Sequence, residues 1–116
     1  SVSVSLSVET TTVPENIKSS KEFYEYHLSL GNQETVISDD SYSTTKSISV
    51  DGHEAFVKHD REDYSSEENI YLLLNNKGYV FSYLVWGYDA EVKDEIYSKY
   101  YQQFKKYVEN VKVNDK

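Results

Sequence analysis

The stretch ENIYLLLNNKGYVFSYLVWGY, residues Glu68–Tyr88, decides the fold of this chain. Two extended apolar runs, Ile70–Leu74 and Tyr79–Trp86, flank the cluster Asn75–Gly78. Asparagine and glycine favour the left-handed backbone positions of a tight reversal, so the stretch predicts a β-hairpin.

The pairing of this hairpin determines which side chains share a face. We expect Leu74 to lie opposite Tyr79, with alternate residues on the same side. One face then carries Ile70, Leu72, Leu74, Tyr79, Phe81, Tyr83 and Val85. The other carries Tyr71, Leu73, Val80, Ser82, Leu84 and Trp86, and it is also largely apolar. A hairpin that is apolar on both faces is typical of the middle of a sheet covered on both sides.

The composition is typical of one soluble domain without covalent cross-links. The chain has 116 residues, close to the commonest domain size, so we interpret 1–116 as a single domain. It has no cysteine, which excludes disulfides, thiolate metal sites and cysteine nucleophiles. The net charge of −8 argues against binding to nucleic acid or to anionic lipid, since both require a basic surface. No run approaches the roughly 20 apolar residues of a membrane helix.

A strand and a helix are predicted before the hairpin. Ser1–Val8 alternates serine with valine or leucine, which is the pattern of a half-buried strand. A helix is expected within Glu15–Leu30, with Gly31 as a suitable terminator. Pro14 favours a start close to it, whereas Ser19 and Glu22 fit a capping box for a start near Ser20.

A second hairpin is predicted between that helix and the central hairpin. Thr35–Ser38 is expected to be a short strand and Asp39–Ser41 a turn. The runs Tyr42–Val50 and His53–His59 then flank Asp51-Gly52, a strong signal for a two-residue turn. Its expected core face carries Ile48, Val50, His53, Ala55 and Val57.

The remaining segments are a loop and a long helix. Asp60–Asn69 is polar and acidic, so we expect a surface loop between the two hairpins. Asp89 is a plausible N-cap for a helix over Glu91–Asn110, in which apolar residues recur every three to four positions. Val111–Val113 is expected to be extended. The predicted class is α+β, an antiparallel sheet with an N-terminal helix and a long C-terminal helix packed on it.

The sequence offers one candidate cation site. His59, Asp60 and Asp63 supply an imidazole and two carboxylates, and the acidic segment 59–68 supplies oxygen ligands of the kind that calcium prefers. The segment lacks the ligand spacing and central glycine of an EF-hand loop. The alternative interpretation is a solvated, charged loop without a cofactor.

A second candidate site is aromatic. Tyr71, Tyr83, Trp86 and Tyr88 are either a partner-binding patch or ordinary core residues. Catalytic patterns are absent: the sequence has neither a Gly-x-Ser-x-Gly elbow nor a phosphate-binding glycine loop, so we do not expect an enzyme.

With these elements in order, the chain resembles the Mog1/PsbP-like superfamily over nearly its whole length. The resemblance rests on the Ser1–Val8 strand followed by a helix, on the Ile48–Ala55 hairpin, on the Tyr79–Val85 strand and on the Tyr101–Val108 part of the last helix. The chain departs from the pattern where Glu109-Asn110-Val111 replaces a Ser-Phe pair that is frequent near the end of that helix.

The resemblance implies an α/β/α sandwich and a non-enzymatic role. The superfamily includes photosystem accessory proteins, a nuclear-transport factor that binds a small GTPase, and secreted lipoproteins. The lipoprotein-like branch fits best, which implies an extracellular or surface-anchored domain with its membrane anchor upstream of Ser1. The expected function is a non-catalytic accessory or protein-binding domain with a protein partner. The alternative is a small-ligand or divalent-cation module that uses the acidic segment.

Overall fold

The computed structural model describes residues 2–30 and 41–113 of the chain. Its elements are β1 (Val2–Thr12), α1 (Ser20–Ser29), β2 (Tyr42–Val50), β3 (His53–Arg61), β4 (Ser65–Leu74), β5 (Lys77–Gly87) and α2 (Ala90–Glu109). Within these residues, five strands form one sheet in the order β1-β5-β4-β3-β2, and every neighbouring pair is antiparallel. The α+β class, the antiparallel sheet and the C-terminal helix are therefore confirmed.

The central hairpin is formed by β4 and β5, but its register differs from the prediction. Leu74 pairs with Lys77 rather than with Tyr79, which leaves a two-residue turn of Asn75 and Asn76. Asn75 adopts the left-handed conformation, with φ 58°, that such a turn requires. The register differs by two residues on one strand, and side chains alternate with a period of two. Each residue therefore keeps the face that was predicted for it.

The β2–β3 hairpin has the predicted register. Val50 pairs with His53 across Asp51 and Gly52, whose φ values of 46° and 81° are both left-handed. On the predicted core face, Val50, Ala55 and Val57 are buried.

The prediction of a surface loop over Asp60–Asn69 is wrong. β3 continues to Arg61 and β4 begins at Ser65, so that residues 62–64 alone connect the two strands. The prediction failed because it required alternating apolar residues, whereas here alternating polar side chains pair across the strands and with α2. His59, for example, lies opposite Glu68 in the ladder.

The two helices cover opposite faces of the sheet. Beneath α2, alternate residues of β3, β4 and β5 pack with Phe104 and Val108 of the helix. Beneath α1, Phe23 and Tyr24 pack with Tyr71 and its neighbours on the other face. The central hairpin is therefore covered on both sides, as its sequence predicts.

The start of α1 follows the capping pattern and also fixes the helix to the sheet. The Ser19 hydroxyl accepts a hydrogen bond from the Glu22 amide at 3.1 Å. The next residue, Ser20, donates its hydroxyl to the Glu54 carbonyl at 2.8 Å and accepts from the Leu73 amide at 3.0 Å. One small side chain therefore links α1 to both β3 and β4.

Gly78 lies inside β5, whereas the sequence predicted it in the Asn75–Gly78 turn. A Cβ at this position would overlap three ring atoms of Phe23. The absence of a side chain allows α1 to approach the sheet closely.

The first strand is more exposed than predicted. β1 extends to Thr12, and the alternating residues Val4, Leu6 and Val8 face the α2 side of the sheet. They remain 43%, 54% and 45% exposed, respectively. The reason is that α2 packs mainly over β5 and makes only a smaller contact with each of β1 and β4.

The predicted long helix is confirmed to within a residue at each end. Its N-cap is Asp89, whose carboxylate accepts from the Val92 amide at 3.2 Å. Val111–Val113 does not belong to a strand, and the Val113 amide donates to the Asp51 carboxylate at 2.7 Å.

Neither helix in the described ranges is long and apolar enough to cross a membrane. The predictions for Gly31, for Thr35–Ser38 and for the first two residues of the Asp39–Ser41 turn lie outside these ranges.

Candidate functional site

A cavity of about 520 Å³ opens between α2 and the β2 side of the sheet. It lies where α2, which packs mainly over β5, extends little over the polar residues of β2 and β3. We call this cavity the α2 groove. Its lining is rich in hydroxyl and charged groups and includes Tyr42, Thr44, His59, Glu68, Tyr97 and Tyr101.

Glu68 places a buried carboxylate in the lining of the α2 groove. The residue is 2% exposed, and the single hydroxyl of Tyr101 lies 3.0 and 3.1 Å from its two oxygens. Burial by itself raises the pKa of Glu68. The contact with His59, the charge of Lys105 and the hydrogen bond from Tyr101 outweigh burial and hold this pKa below its ordinary value. The carboxylate is therefore ionised at neutral pH.

His59 connects this carboxylate to α2. Its Nδ1 lies 3.4 Å from Glu68 Oε1 and 3.1 Å from the Tyr97 hydroxyl. Burial, together with the charge of Glu68, raises the pKa of Tyr97, so its phenol stays protonated. The ring of Tyr42 lies against the imidazole, with the centroids 5.8 Å apart. The imidazole is thus positioned by β4, α2 and β2 together.

A second charged cluster supports the groove near the start of α2. Lys93 is fully buried, and its ammonium donates to the Glu62 carbonyl at 2.8 Å, to the Ser66 hydroxyl at 2.9 Å and to the Asp94 carboxylate at 2.6 Å. These three acceptors use all three donors of the ammonium. Arg61 lies 2.9 Å from Asp94 on its other side. Burial raises the pKa of Asp94, but its bonds to Arg61 and Lys93 outweigh burial and lower it.

The sequence interpretation missed this cluster, although a signal for it exists. On α2, the four residues Lys93, Tyr97, Tyr101 and Lys105 recur at every fourth position and therefore lie on one face. On β4, extending the alternation backward from Ile70 places Glu68 on the face that α2 covers. The interpretation stopped at Ile70 because the preceding residues are polar.

The candidate metal ligands His59, Asp60 and Asp63 are placed in three different environments. His59 points into the α2 groove, whereas Asp60 follows it on the strand and lies 3.6 Å from Lys58 on the other face. Asp63 lies in the connecting turn, 3.2 Å from Arg61. Across residues 2–30 and 41–113, no three histidine, aspartate or glutamate side chains come together as metal ligands.

The candidate aromatic patch divides into two pairs. Tyr71 and Tyr83 are buried on opposite faces of the sheet, 4% and 0% exposed. Trp86 and Tyr88 are 39% and 75% exposed, and their ring centroids lie 4.6 Å apart. Of the four, these last two are accessible to a partner.

A contact between Ser66 and Lys93 joins β4 to α2 beside the groove. Ser66 is 2% exposed, and the Lys93 ammonium donates to three acceptors, one of which is the Ser66 hydroxyl. The contact therefore stabilises the start of α2.

Comparison with known protein families and with curated proteins found no match to this chain. The resemblance to the Mog1/PsbP-like superfamily therefore rests on the sequence features quoted above. The basis for a functional proposal is the chemistry of the α2 groove.

Proposed function

We propose that this domain is a non-catalytic binding module for a small polar ligand, which it holds in the α2 groove. The observation that carries the proposal is the ionised carboxylate of Glu68, buried in the lining of an open cavity. Burying a charge is costly, and charges with perturbed pKa values inside clefts are concentrated at functional sites. The cavity volume of about 520 Å³ lies within the range of small-molecule pockets.

The acceptor capacity of Glu68 indicates the chemistry of the ligand. A carboxylate has about four lone-pair directions, and the one phenolic proton of Tyr101 serves both oxygens. Glu68 can therefore accept a further donor from a ligand, such as an amine or a hydroxyl group. The tyrosine rings in the lining supply apolar contact area beside these polar groups.

The proposal is tested by a thermal-unfolding screen against amines, amino acids, sugars and divalent cations. A ligand at 100 times its dissociation constant stabilises a protein by about 2.7 kcal/mol. For a domain of this size that stabilisation is a rise in Tm of several degrees. We expect at least one amine or polyhydroxyl compound to produce this rise in the wild-type protein.

The matched variants are Glu68→Gln and Glu67→Gln. Glu67 is the preceding residue on β4, and its side chain points to the other face of the sheet. The shift should disappear in Glu68→Gln and persist in Glu67→Gln. An equal shift in both variants would place the ligand elsewhere, and a panel with no hits would contradict the proposal.

A second candidate function is favoured by the exposed pair of Trp86 and Tyr88. We propose that this pair contacts a protein partner, because exposed tryptophan and tyrosine are the residue types enriched at binding hot spots. After crosslinking in the source cells, the wild-type protein should give a specific adduct with its partner, and the Trp86→Ala variant should not. Leu30→Ala, which changes an exposed apolar residue at the end of α1, is the control. The same adduct in wild type and both variants would remove this candidate.

We also propose, on the sequence resemblance alone, that the domain works outside the membrane as the soluble part of a surface-anchored lipoprotein. The supporting features are the β1-then-helix opening and the Ile48–Ala55 hairpin. A full-length gene that encodes a lipid-attachment cysteine upstream of Ser1 would support this localisation. A gene that encodes no signal sequence would contradict it.

A further inference from the structure

β1 forms an open edge of the sheet. Within the described residues it pairs with β5 along one side, over the eleven residues Val2–Thr12, and with no strand along the other. A strand in this position presents unpaired backbone amides and carbonyls to solvent. Either water or another strand can form hydrogen bonds with these groups.

β1 also lacks the features that protect edge strands from pairing. Natural edges carry lysine, proline or bulges, and the opposite edge of this sheet, β2, has Lys46 near its centre. β1 has neither a charge nor a proline from Val2 to Val8, and its first charged residue is Glu9. Its pairing with β5 is continuous, without a bulge.

The apolar face of β1 continues onto α2. Leu6 and Val8, together with Phe104 and Tyr107 of α2, line a mainly apolar cavity of about 260 Å³. Leu6 is 54% and Tyr107 51% exposed. The open edge is therefore bordered on one side by an uncovered apolar surface.

We propose that two copies of this chain pair through β1, antiparallel, around a twofold axis at Ser5. This register places Val4 opposite Leu6 and Val2 opposite Val8 of the second copy. Apolar residues then face apolar residues, and serines face serines. The two sheets become one continuous sheet.

The distribution of charge favours a second copy as the occupant of this edge. Each copy carries a net charge of −8, so two copies repel each other over most of their surface. Val2–Val8 is free of charge, and in this register the Glu9 residues of the two copies lie at opposite ends of the paired segment. The twofold axis is perpendicular to the sheet, so the two α2 helices lie on the same side. Leu6, Val8 and Tyr107 of both copies then form one apolar strip.

The interface is small, so the dimer should depend on protein concentration and dissociate on dilution. Sedimentation velocity over a dilution series should show the mass of the wild-type protein rising from 13.5 kDa towards twice that value. Near-UV circular dichroism of every variant checks that the monomer is folded.

Variants that place opposite charges at Ser5, on the proposed twofold axis, make the test specific. Ser5 is exposed, so Ser5→Lys and Ser5→Glu should leave the monomer folded while placing like charges opposite each other. Each variant alone should remain monomeric, and an equimolar mixture of the two should dimerise. Ser47→Lys, at an exposed position of β2, is the matched control and should dimerise like the wild type. A wild-type protein that is monomeric at all concentrations, or a Ser5→Lys variant that dimerises as the wild type does, would overturn the proposal.

Discussion

The charge of Glu68 is determined by three neighbours on two different elements. His59 approaches it from β3, and Tyr101 and Lys105 approach it from α2. Their combined effect lowers the pKa of Glu68 below the ordinary value of about 4.3, in spite of burial. A group with a lowered pKa contributes stability above its unfolded-state pKa and loses that contribution as the pH falls through its folded-state pKa.

We therefore expect Glu68→Gln to destabilise the protein at neutral pH by about 1–3 kcal/mol, since hydrogen bonds to a buried charged group are lost. The difference from the wild type should shrink as the pH falls below about 4.3, because the unfolded wild-type chain then takes up a proton that the folded protein, with its lower pKa for Glu68, does not. Urea unfolding of both proteins from pH 7 to pH 3 measures this difference. A difference that is independent of pH would show that Glu68 is not ionised in the folded protein. Glu67→Gln serves as the control for the loss of one charge.

Lys93 gives a second prediction at the scale of one residue. Lys93→Met removes a buried ammonium and leaves the Ser66 hydroxyl, the Glu62 carbonyl and the Asp94 carboxylate without their shared donor. Leaving buried hydrogen-bond acceptors without a donor costs about 1–3 kcal/mol, and the Asp94 carboxylate, which is partly exposed, keeps its contact with Arg61. Chemical denaturation should show a loss of this size, whereas Lys99→Met, at an exposed position of the same helix, should change the free energy of unfolding by less than about 0.5 kcal/mol. Equal effects of the two substitutions would mean that the Lys93 cluster is not formed.

At the scale of the element, the docking of α1 depends on the contact between Gly78 and Phe23. Gly78→Ala inserts a methyl group into space that the Phe23 ring occupies, so we expect a loss of about 1–3 kcal/mol from overpacking. In a Phe23→Leu background, the smaller side chain should reduce this loss. A double-mutant cycle measured by urea unfolding gives the coupling between the two positions. Additive effects would show that the ring does not pack on Gly78.

The elements also show how far the sequence predicts this structure. The hairpin turn at Asp51-Gly52 and the caps Ser19 and Asp89 are set by local backbone chemistry, and these were predicted correctly. The first half of β4 was not, because its pairing depends on cross-strand and helix contacts of polar side chains. Local propensity does not encode such contacts, so a polar strand resembles a loop in the sequence.

The same reason explains what was missed at the candidate site. His59 was singled out as a chemically active residue, but its partners were sought among its neighbours in the sequence. Its partner across the sheet is Glu68, and its partner on α2 is Tyr97, 38 positions further along the chain. Such a cluster becomes visible once the strand register and the helix face are known.

At the scale of the whole molecule, tyrosine ionisation reports on the integrity of both faces of the sheet. The pKa is raised in four of the twelve tyrosines, and burial is the main cause in each. The pKa of Tyr83, for example, is raised to about 12. The four are Tyr71, Tyr83, Tyr97 and Tyr101. During an alkaline titration, the tyrosinate absorbance of the folded protein should therefore reach its full value at a higher pH than that of the urea-unfolded chain, in which tyrosine ionises near pH 10. Stability should fall as the pH rises above 10, because the unfolded chain ionises first. One transition near pH 10 in a protein that remains folded would contradict the burial of these rings.

The central claim is that the α2 groove binds a small polar ligand, and amide-resolved NMR of the labelled protein with the compound panel tests it most directly. We expect a binding compound to shift the amide signals of Thr44, His59, Glu68 and Tyr97, which lie on three strands and α2. The signals of Asn75 and Lys77, at the opposite end of the β4–β5 hairpin from the groove residue Ser66, should stay unchanged. The account is contradicted if no compound perturbs the groove, or if binding compounds shift the Asn75–Lys77 region instead.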